Sequence, residues 1–403
     1  MQVVYANQEF PESWSFAVFL AGPTPRDEEQ PSWRPEAIAW LEKFAAEKGL
    51  SDIVVFVPED EHGKWEHSYI DQVEWEQRGL HFADVVMFWV PRDLTWMPGF
   101  TTNVEFGYWA QSAKVVLGHP KEAPKTRYLD WMADHHSVPV ADTLMDTCQQ
   151  VVELWPGEGT DRSGGQRYVP LHVWNTQMYQ DWYAALVKAG NRLDEAQVRW
   201  VFHMPKLGKV FSWVLWVKVW IAKEERYKEN EWVFARSDIS TIVMYRSAVA
   251  GAAHEPGEWP VDELLDTEVI LVREFRSPVR NDAGFVYEVP GGSSPSKDQD
   301  PLQVASEEVH EETGLIIPKD RFVALGSRQL AATLSAHHAH LFAVELTEEE
   351  MVQAKALALA GEAFGLEEDS ERTYVEVRTV REMVHTELVD WSMLGMIFKG
   401  LLR

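Results

Sequence analysis

From Phe16 to about Leu154 the chain alternates short, wholly apolar runs with longer segments of helical period. FAVFLAG (Phe16–Gly22), DIVVFVPE (Asp52–Glu59), DVVMFWV (Asp84–Val90) and KVVLG (Lys114–Gly118) read as strands. PEAIAWLEKFAAEKG (Pro35–Gly49), YIDQVEWEQRGLHFA (Tyr69–Ala83) and NVEFGYWAQSA (Asn103–Ala113) read as the helices between them. The first of these has proline at its start and glycine just past its end, as helix termini prefer. Strands apolar on both faces and separated by helices predict a parallel sheet covered on both sides. Ligands of such sheets bind beyond the C-terminal strand ends, which here carry Gly22-Pro23, Pro58-Glu59 and Pro91-Arg92.

The pattern breaks at PGEGTDRSGGQRYVP (Pro156–Pro170), rich in glycine and charge and without periodicity, which predicts a linker. A helix is expected in WNTQMYQDWYAALVKAG (Trp174–Gly190). Strands follow in KVFSWVLWVKVWIA (Lys209–Ala222), NEWVFARS, ISTIVMYRSAV, EVILVREFRS and FVYEVPGG. After them come an acidic helix, the strand HLFAVEL, a helix from about Glu348 to Leu359, the strand TYVEVRTV and a C-terminal helix. This half is expected to be α+β.

Composition narrows the partners. The 403 residues are enough for two or three domains, and 45% hydrophobic with 25% charged residues is typical of a soluble globular protein. Thirty-seven basic against 64 acidic residues give a net charge of −27. Such a surface repels phosphate backbones, so nucleic-acid polymers and anionic membranes are not expected as partners. Small phosphorylated ligands are compatible with it when a divalent cation bridges acid to phosphate. The lone cysteine, Cys148, excludes an intrachain disulfide, and no signal peptide or membrane-length apolar run is visible, so a cytoplasmic location is expected.

In SEEVHEETGL (Ser306–Leu315) four glutamates crowd into six residues, ahead of a glycine that permits a tight helix end. On a helix, Glu308, Glu311 and Glu312 share an arc of about 100° beside an apolar face of Leu302, Ala305 and Val309. The bland reading is a solvated acidic face. The chemical reading is an oxygen-ligand site for Mg²⁺ or Mn²⁺. This segment, with YEVPGG (Tyr287–Gly292) and LVREFR (Leu271–Arg276) upstream, resembles the Nudix hydrolase family, in its ADP-ribose and nucleoside-diphosphate-sugar branch. Residues 308–315 match the second half of the Nudix box in full. Glu307 stands where that box has arginine, Gln299 where it has its first glutamate, and the box glycine lies one residue too far upstream.

The resemblance implies that Glu308, Glu311 and Glu312 hold the metal, with Glu312 catalytic. It also implies that Arg276, Gly291 and Gly292 contact substrate, and that a nucleoside diphosphate linked to a second group is hydrolysed. A base from a later loop would come from EEDSER (Glu367–Arg372), with Glu367, Glu368, Asp369 and Glu371 as candidates against a solvated loop. HHAH (His337–His340) reads as strand-surface histidines rather than a transition-metal site.

PGFTTNVEFGYW (Pro98–Trp109) places Glu105 at the start of a helix, either as a capping residue or as a carboxylate at the ligand edge of the sheet. FLAGPTPR (Phe19–Arg26), SWRPEA (Ser32–Ala37), WEQRGLHFADVVMFWVPR (Trp75–Arg92) and GFTTNVEFG (Gly99–Gly107) together resemble the nucleoside 2-deoxyribosyltransferase-like family, which includes nucleotide N-hydrolases. The resemblance implies that Glu105 attacks the anomeric carbon and forms a glycosyl-enzyme, and that Glu76 holds the sugar or the departing base. Gly22, Pro23, Asp84 and Asn103 become candidate substrate-binding residues, Asp84 with a structural hydrogen-bonding role equally open. Arg26 and Arg34 either hold a phosphate or pair with surface acids.

The expected fold class is therefore α/β: a parallel-sheet, flavodoxin- or Rossmann-like transferase domain over 1–155, a linker over 156–170 and an α+β Nudix domain over 171–403. The expected function is bifunctional nucleotide metabolism, a transferase or N-glycosidase joined to a Mg²⁺- or Mn²⁺-dependent hydrolase. The alternative is a Nudix half that senses nucleotides without turnover. Nucleosides and nucleotides are the expected small-molecule partners, with a homo-oligomer left open.

Overall fold

In a computed structural model the described residues are 1–26, 30–61, 68–154, 160–204, 209–249, 259–293, 299–365 and 371–402. The candidates Glu367, Glu368 and Asp369 lie outside them. The chain divides into two compact units, Met1–Ala235 and Arg236–Arg403.

In the first unit six strands form one parallel sheet: β1 (Gln2–Tyr5), β2 (Phe16–Ala21), β3 (Ile53–Val57), β4 (Val85–Trp89), β5 (Val115–Gly118) and β6 (Val140–Ala141), in the order β1-β3-β2-β4-β5-β6. Every residue of β2, β3, β4 and β5 is buried, as their unbroken apolar runs require. The helices are α1 (Arg34–Glu47), α2 (Tyr69–Phe82), α3 (Phe100–Trp109), α4 (Arg127–His135) and α5 (Leu144–Glu153). Helix α1 carries proline in its first turn, and Ser68 caps α2 in a reciprocal capping box with Asp71. The strand order turns back on either side of β2, which creates a crevice at the C-terminal ends of β2 and its neighbours.

The expected linker is not one over its described part. Arg162–Ser163 pairs with Ser13–Trp14, and Arg162 is fully buried. The unit then continues past residue 170, through α6 (Gln177–Lys188), into an antiparallel sheet of β7 (Arg192–Met204), β8 (Lys209–Ile221) and β9 (Arg226–Arg236). The division of the chain therefore falls near residue 235 and not at 156–170. In β8 the buried apolar side chains are Trp213, Leu215, Val217 and Val219, the period of two that its sequence predicts. Strand β7 escaped prediction because charge interrupts its alternation. Its Glu195 stands opposite Lys218 of β8 and accepts a hydrogen bond from it at 3.1 Å.

The second unit is built on a mixed sheet. Strand β10 (Ile239–Arg246) is followed by β11 (Glu268–Glu274), β12 (Val286–Glu288), β13 (Gly291–Gly292), helix α7 (Pro301–Thr313), β14 (Val323–Gln329), β15 (His338–Glu345), helix α8 (Glu348–Ala360), β16 (Ala363–Phe364), β17 (Thr373–Thr379) and helix α9 (Trp391–Leu401). The main order is β14-β15-β10-β11-β17-β16, with β10 parallel to β15 and antiparallel to β11. Ala305 and Val309 of α7 and Met351 of α8 share one apolar core with Ile242 and Phe342; Met393 and Ile397 of α9 share another with Val243 and Leu341. Among the described residues no helix is long and apolar enough to cross a membrane.

Candidate functional site

At the C-terminal edge of the parallel sheet, β2 is followed by Gly22, whose φ of 152° suits glycine; a Cβ there would lie 2.2 Å from the Trp89 carbonyl oxygen. The loop is fixed from within. Trp33 Nε1 donates to the Pro23 carbonyl at 3.1 Å. Arg34, 1% exposed, donates through Nη2 to the Gly22 carbonyl at 2.8 Å, through Nε to the Leu20 carbonyl at 3.1 Å, and through Nη1 to Thr24 Oγ1 at 3.1 Å and to Glu59. Of the two readings its sequence left open, Arg34 takes the pairing with an acid, Glu59, though from a buried position. Arg26 is exposed, and its guanidinium stands 5.9 Å from the Phe100 ring centroid.

Glu105 lies in the second turn of α3, whose first turn holds no acidic residue, so the capping reading does not apply. It shares its surroundings with Glu76, from the middle of α2, and with Arg34. Burial pushes the Glu105 carboxyl up to about 7, Glu76 adds to the shift and Arg34 opposes it. Burial also raises Glu76, while a hydrogen bond from Gln72 Nε2 at 2.8 Å and the charge of Arg34 act against the rise. Two half-buried carboxylates from separate helices thus feel Arg34 together, and Glu76 favours a proton on Glu105. Asn103, in the first turn of α3, is exposed; its Oδ1 accepts from Arg92 Nη2, and Arg92 Nη1 donates to the Lys125 carbonyl at 2.8 Å.

Asp84 does not belong to this site. It opens β4, at the opposite edge of the sheet, and is 4% exposed. Its Oδ2 accepts from the Ala17 amide at 2.8 Å and from Arg162 Nη2 at 2.6 Å; its Oδ1 accepts from Arg162 Nη1 and the Leu171 amide, both at 2.8 Å. Of the two readings open to it, the structural one holds, because its acceptor positions are taken by the fold.

A second group of carboxylates lies in the second unit. Helix α7 begins at the Asp300 cap and ends at Gly314, whose φ of 69° makes the expected tight exit. Glu312, 5% exposed, accepts from the Gly291 amide at 2.9 Å. Glu308 lies against Gly292, where a Cβ would come within 2.2 Å of Glu308 Oε1; a Cβ on Gly291 would meet the Ser240 carbonyl oxygen at 2.4 Å. The glycine pair is therefore a matter of space. Glu311 is exposed.

Burial raises Glu308 to about 7, with Glu311, Glu371 and Glu307 adding to it. Burial likewise raises Glu312 far above the usual carboxylate range, and Glu308 adds to that rise. Glu274 is pushed up to about 7 by burial, against the charge of Arg276. Arg276 stands 2.7 Å from Glu274 Oε2 and 3.4 Å from Glu371 Oε1.

Among the described residues no group of three or more His, Cys, Asp or Glu is arranged to hold a metal ion. The expected set does not form a closed cage: Glu312 turns inward, Glu308 lies against the glycines and Glu311 faces solvent. The chemistry of the donors nonetheless suits a hard divalent cation, because buried carboxylates that repel one another gain most from a shared positive charge. His340 Nε2 lies 3.4 Å from Asp238 Oδ2 on the surface of β15.

Sequence reasoning left Glu59 without a role and missed Gln72 and Glu274 as members of these sites. Glu59 carried a signal, since it follows β3 at a strand end; Gln72 carried one only in its spacing of four residues from Glu76.

Compared with known families, residues 15–123 match the model described as nucleoside 2-deoxyribosyltransferase like, which supports a domain of that kind in this stretch. It contains β2 to β5 and both Glu76 and Glu105. The match does not extend to the carboxylates of the second unit. No curated protein matches the chain.

Proposed function

We propose that the first unit cleaves or transfers at the N-glycosidic bond of a nucleoside or nucleotide, with Glu105 as nucleophile. The observation that carries this reading is the charge coupling of Glu105 to Glu76 and to Arg34, which itself holds the Gly22 loop, inside the stretch that matches the transferase-like family. In the reaction the ionised Glu105 carboxylate bonds to the anomeric carbon as the bond to the base breaks, and the electron pair leaves with the base. Glu76 holds the sugar or the departing base. A second base, or water, then displaces Glu105. The test compares base release by the full chain and by Glu105→Gln and Glu105→Ala on nucleosides and nucleotides. A loss of about a thousandfold or more is expected; release at the wild-type rate overturns the reading.

A second activity is favoured by Glu312 and Glu308 converging on Gly291-Gly292. Here the reading is hydrolysis of a nucleoside diphosphate linked to a further group. Glu308, Glu311 and Glu312 would hold Mg²⁺ or Mn²⁺, and Arg276 and the glycine strand would contact the diphosphate. The cation supplies charge neutralisation and polarisation of the diphosphate. The protein's own groups orient it: Glu312 is fixed by the Gly291 amide, and the absence of side chains at 291 and 292 leaves room beside Glu308. The rival is a nucleotide-sensing module without turnover, favoured by the exchange of charge at Gln299 and Glu307. Monophosphate release from dinucleotides and sugar nucleotides with Mg²⁺, abolished by Glu312→Gln, supports hydrolysis. Tight binding without release supports the sensor.

A further inference from the structure

Arg34 is an unusual place for a positive charge in so acidic a chain, because it faces inward. Its partners are the Leu20 and Gly22 carbonyls, Thr24 Oγ1 and Glu59, and its guanidinium carbon stands 4.7 Å from the Trp33 ring centroid. Glu59 is fixed in turn, since Ser32 Oγ donates to its Oε1 at 3.1 Å and itself accepts from the Arg34 amide at 3.1 Å. The arginine and its counter-ion therefore tie the loop after β2 to the end of β3, the two strand ends that frame the crevice. Three carboxylates feel Arg34: Glu59 at the end of β3, Glu76 on α2 and Glu105 on α3. Of the charges that act on Glu105, Glu76 disfavours its ionised form and Arg34 favours it.

We propose that Arg34 and Glu59 act together as a positioning and charge-setting pair for Glu105, holding the Gly22 loop in shape while Arg34 keeps the Glu105 carboxylate available and Glu59 limits that pull. The inference rests on the reading of Glu105 as the nucleophile. Its logic is a balance. With Arg34 absent, the half-buried Glu76 and Glu105 would repel without an opposing charge, and a proton would quench the nucleophile. With Arg34 uncompensated, Glu105 would ionise readily but be a poorer nucleophile. A carboxylate already bonded to the arginine moderates its field without blocking it.

The test is a ¹³C NMR titration of the full-length protein labelled at glutamate carboxyls, with the Glu105 signal assigned by its loss in Glu105→Gln. Glu59→Gln keeps the acceptor and removes the charge, so the Glu105 midpoint falls by about half to one pH unit. Arg34→Gln raises it by a similar amount, and Arg34→Lys restores it in part. The acid limb of the pH–rate profile for base release moves in the same directions. Opposite shifts from the two partners support the pair; a midpoint unmoved in folded Glu59→Gln overturns it, whether or not Arg34→Gln folds. If Glu105→Ala retains wild-type base release while the opposite shifts persist, the nucleophile reading fails and the electrostatic pairing stands. If Glu105 is essential and the midpoint does not move, the pairing fails alone.

Discussion

Arg162 presents two nitrogens to the two carboxylate oxygens of Asp84, at 2.8 and 2.6 Å, across 78 residues of sequence and with neither side chain more than 1% exposed. This fork joins the start of β4 to the segment that the sequence pattern marks as a linker, and the Ala17 and Leu171 amides complete it. Removing one partner leaves a buried charge without compensation. Asp84→Asn or Arg162→Met is therefore expected to destabilise the first unit by about 3–5 kcal/mol. Urea unfolding followed by tryptophan fluorescence measures this, and a change below about 1 kcal/mol contradicts it. Because the pair lies at the edge of the sheet opposite Glu105, base release by the folded fraction is expected to stay near the wild-type level.

The pH dependence of base release follows from Glu105. Its carboxyl is raised to about 7, first by burial and then by Glu76, and the nucleophile must be ionised. Activity is therefore expected to rise with pH through about 7. Glu76→Gln removes the like charge, which shifts the acid limb of kcat/KM to lower pH by about one unit, even though the lost contact to substrate lowers the maximal rate. A pH–rate profile checks this, and a limb that moves to higher pH contradicts it.

The strands and helices that frame this site were legible because their signals are local. Apolar runs such as Val85–Trp89 have nowhere to go but the middle of a covered sheet, and Pro35 fixes the start of α1. The position of Glu105 in α3 was misjudged by a turn, because Gly99, not a side-chain cap, begins the helix. The inward role of Arg34 could not be read. A guanidinium that satisfies two carbonyls, a hydroxyl and a carboxylate depends on loop geometry that no periodicity encodes. In the same way, the glycines and charges around Arg162 imitate a linker; only the distant Asp84 shows that the segment is anchored.

The second unit is expected to lose stability as pH rises. Glu308 and Glu274 sit near 7 and Glu312 higher, all above the usual carboxylate value of 4.5. Between about pH 4.5 and 7 the folded state binds more protons than the unfolded one, so the favourable contribution present at low pH is lost across that range. Deprotonated, the same groups are ready to take a cation. The melting temperature of the second unit should thus be lower at pH 8 than at pH 6 without Mg²⁺, and Mg²⁺ should raise it more at pH 8. Glu312→Gln should remove most of the Mg²⁺ increment. Differential scanning calorimetry decides, and an increment unchanged by that substitution contradicts the assignment of Glu312 as a ligand.

The two departures from the Nudix box meet in space. Gln299 Nε2 donates to Glu307 Oε2 at 2.6 Å, and Gln303 Nε2 donates to its other carboxylate oxygen. Where the Nudix box that this segment resembles has an acid and an arginine, this chain has an amide donating to an acid, so the pair is more negative by one charge. That charge is one of those that raise Glu308. Restoring the family pattern should reverse the effect. The double variant Gln299→Glu with Glu307→Arg forms an ion pair at the same place and turns the charge beside Glu308 positive, so Glu308 ionises at lower pH and the pair orients it. Monophosphate release from a dinucleotide with Mg²⁺ is expected to rise about tenfold over wild type. Gln299→Glu alone sets two acids face to face and should lower it. If the double variant is no faster than Gln299→Glu, the pair does not act on the carboxylates of α7, and the charge exchange is a surface change without consequence for the site.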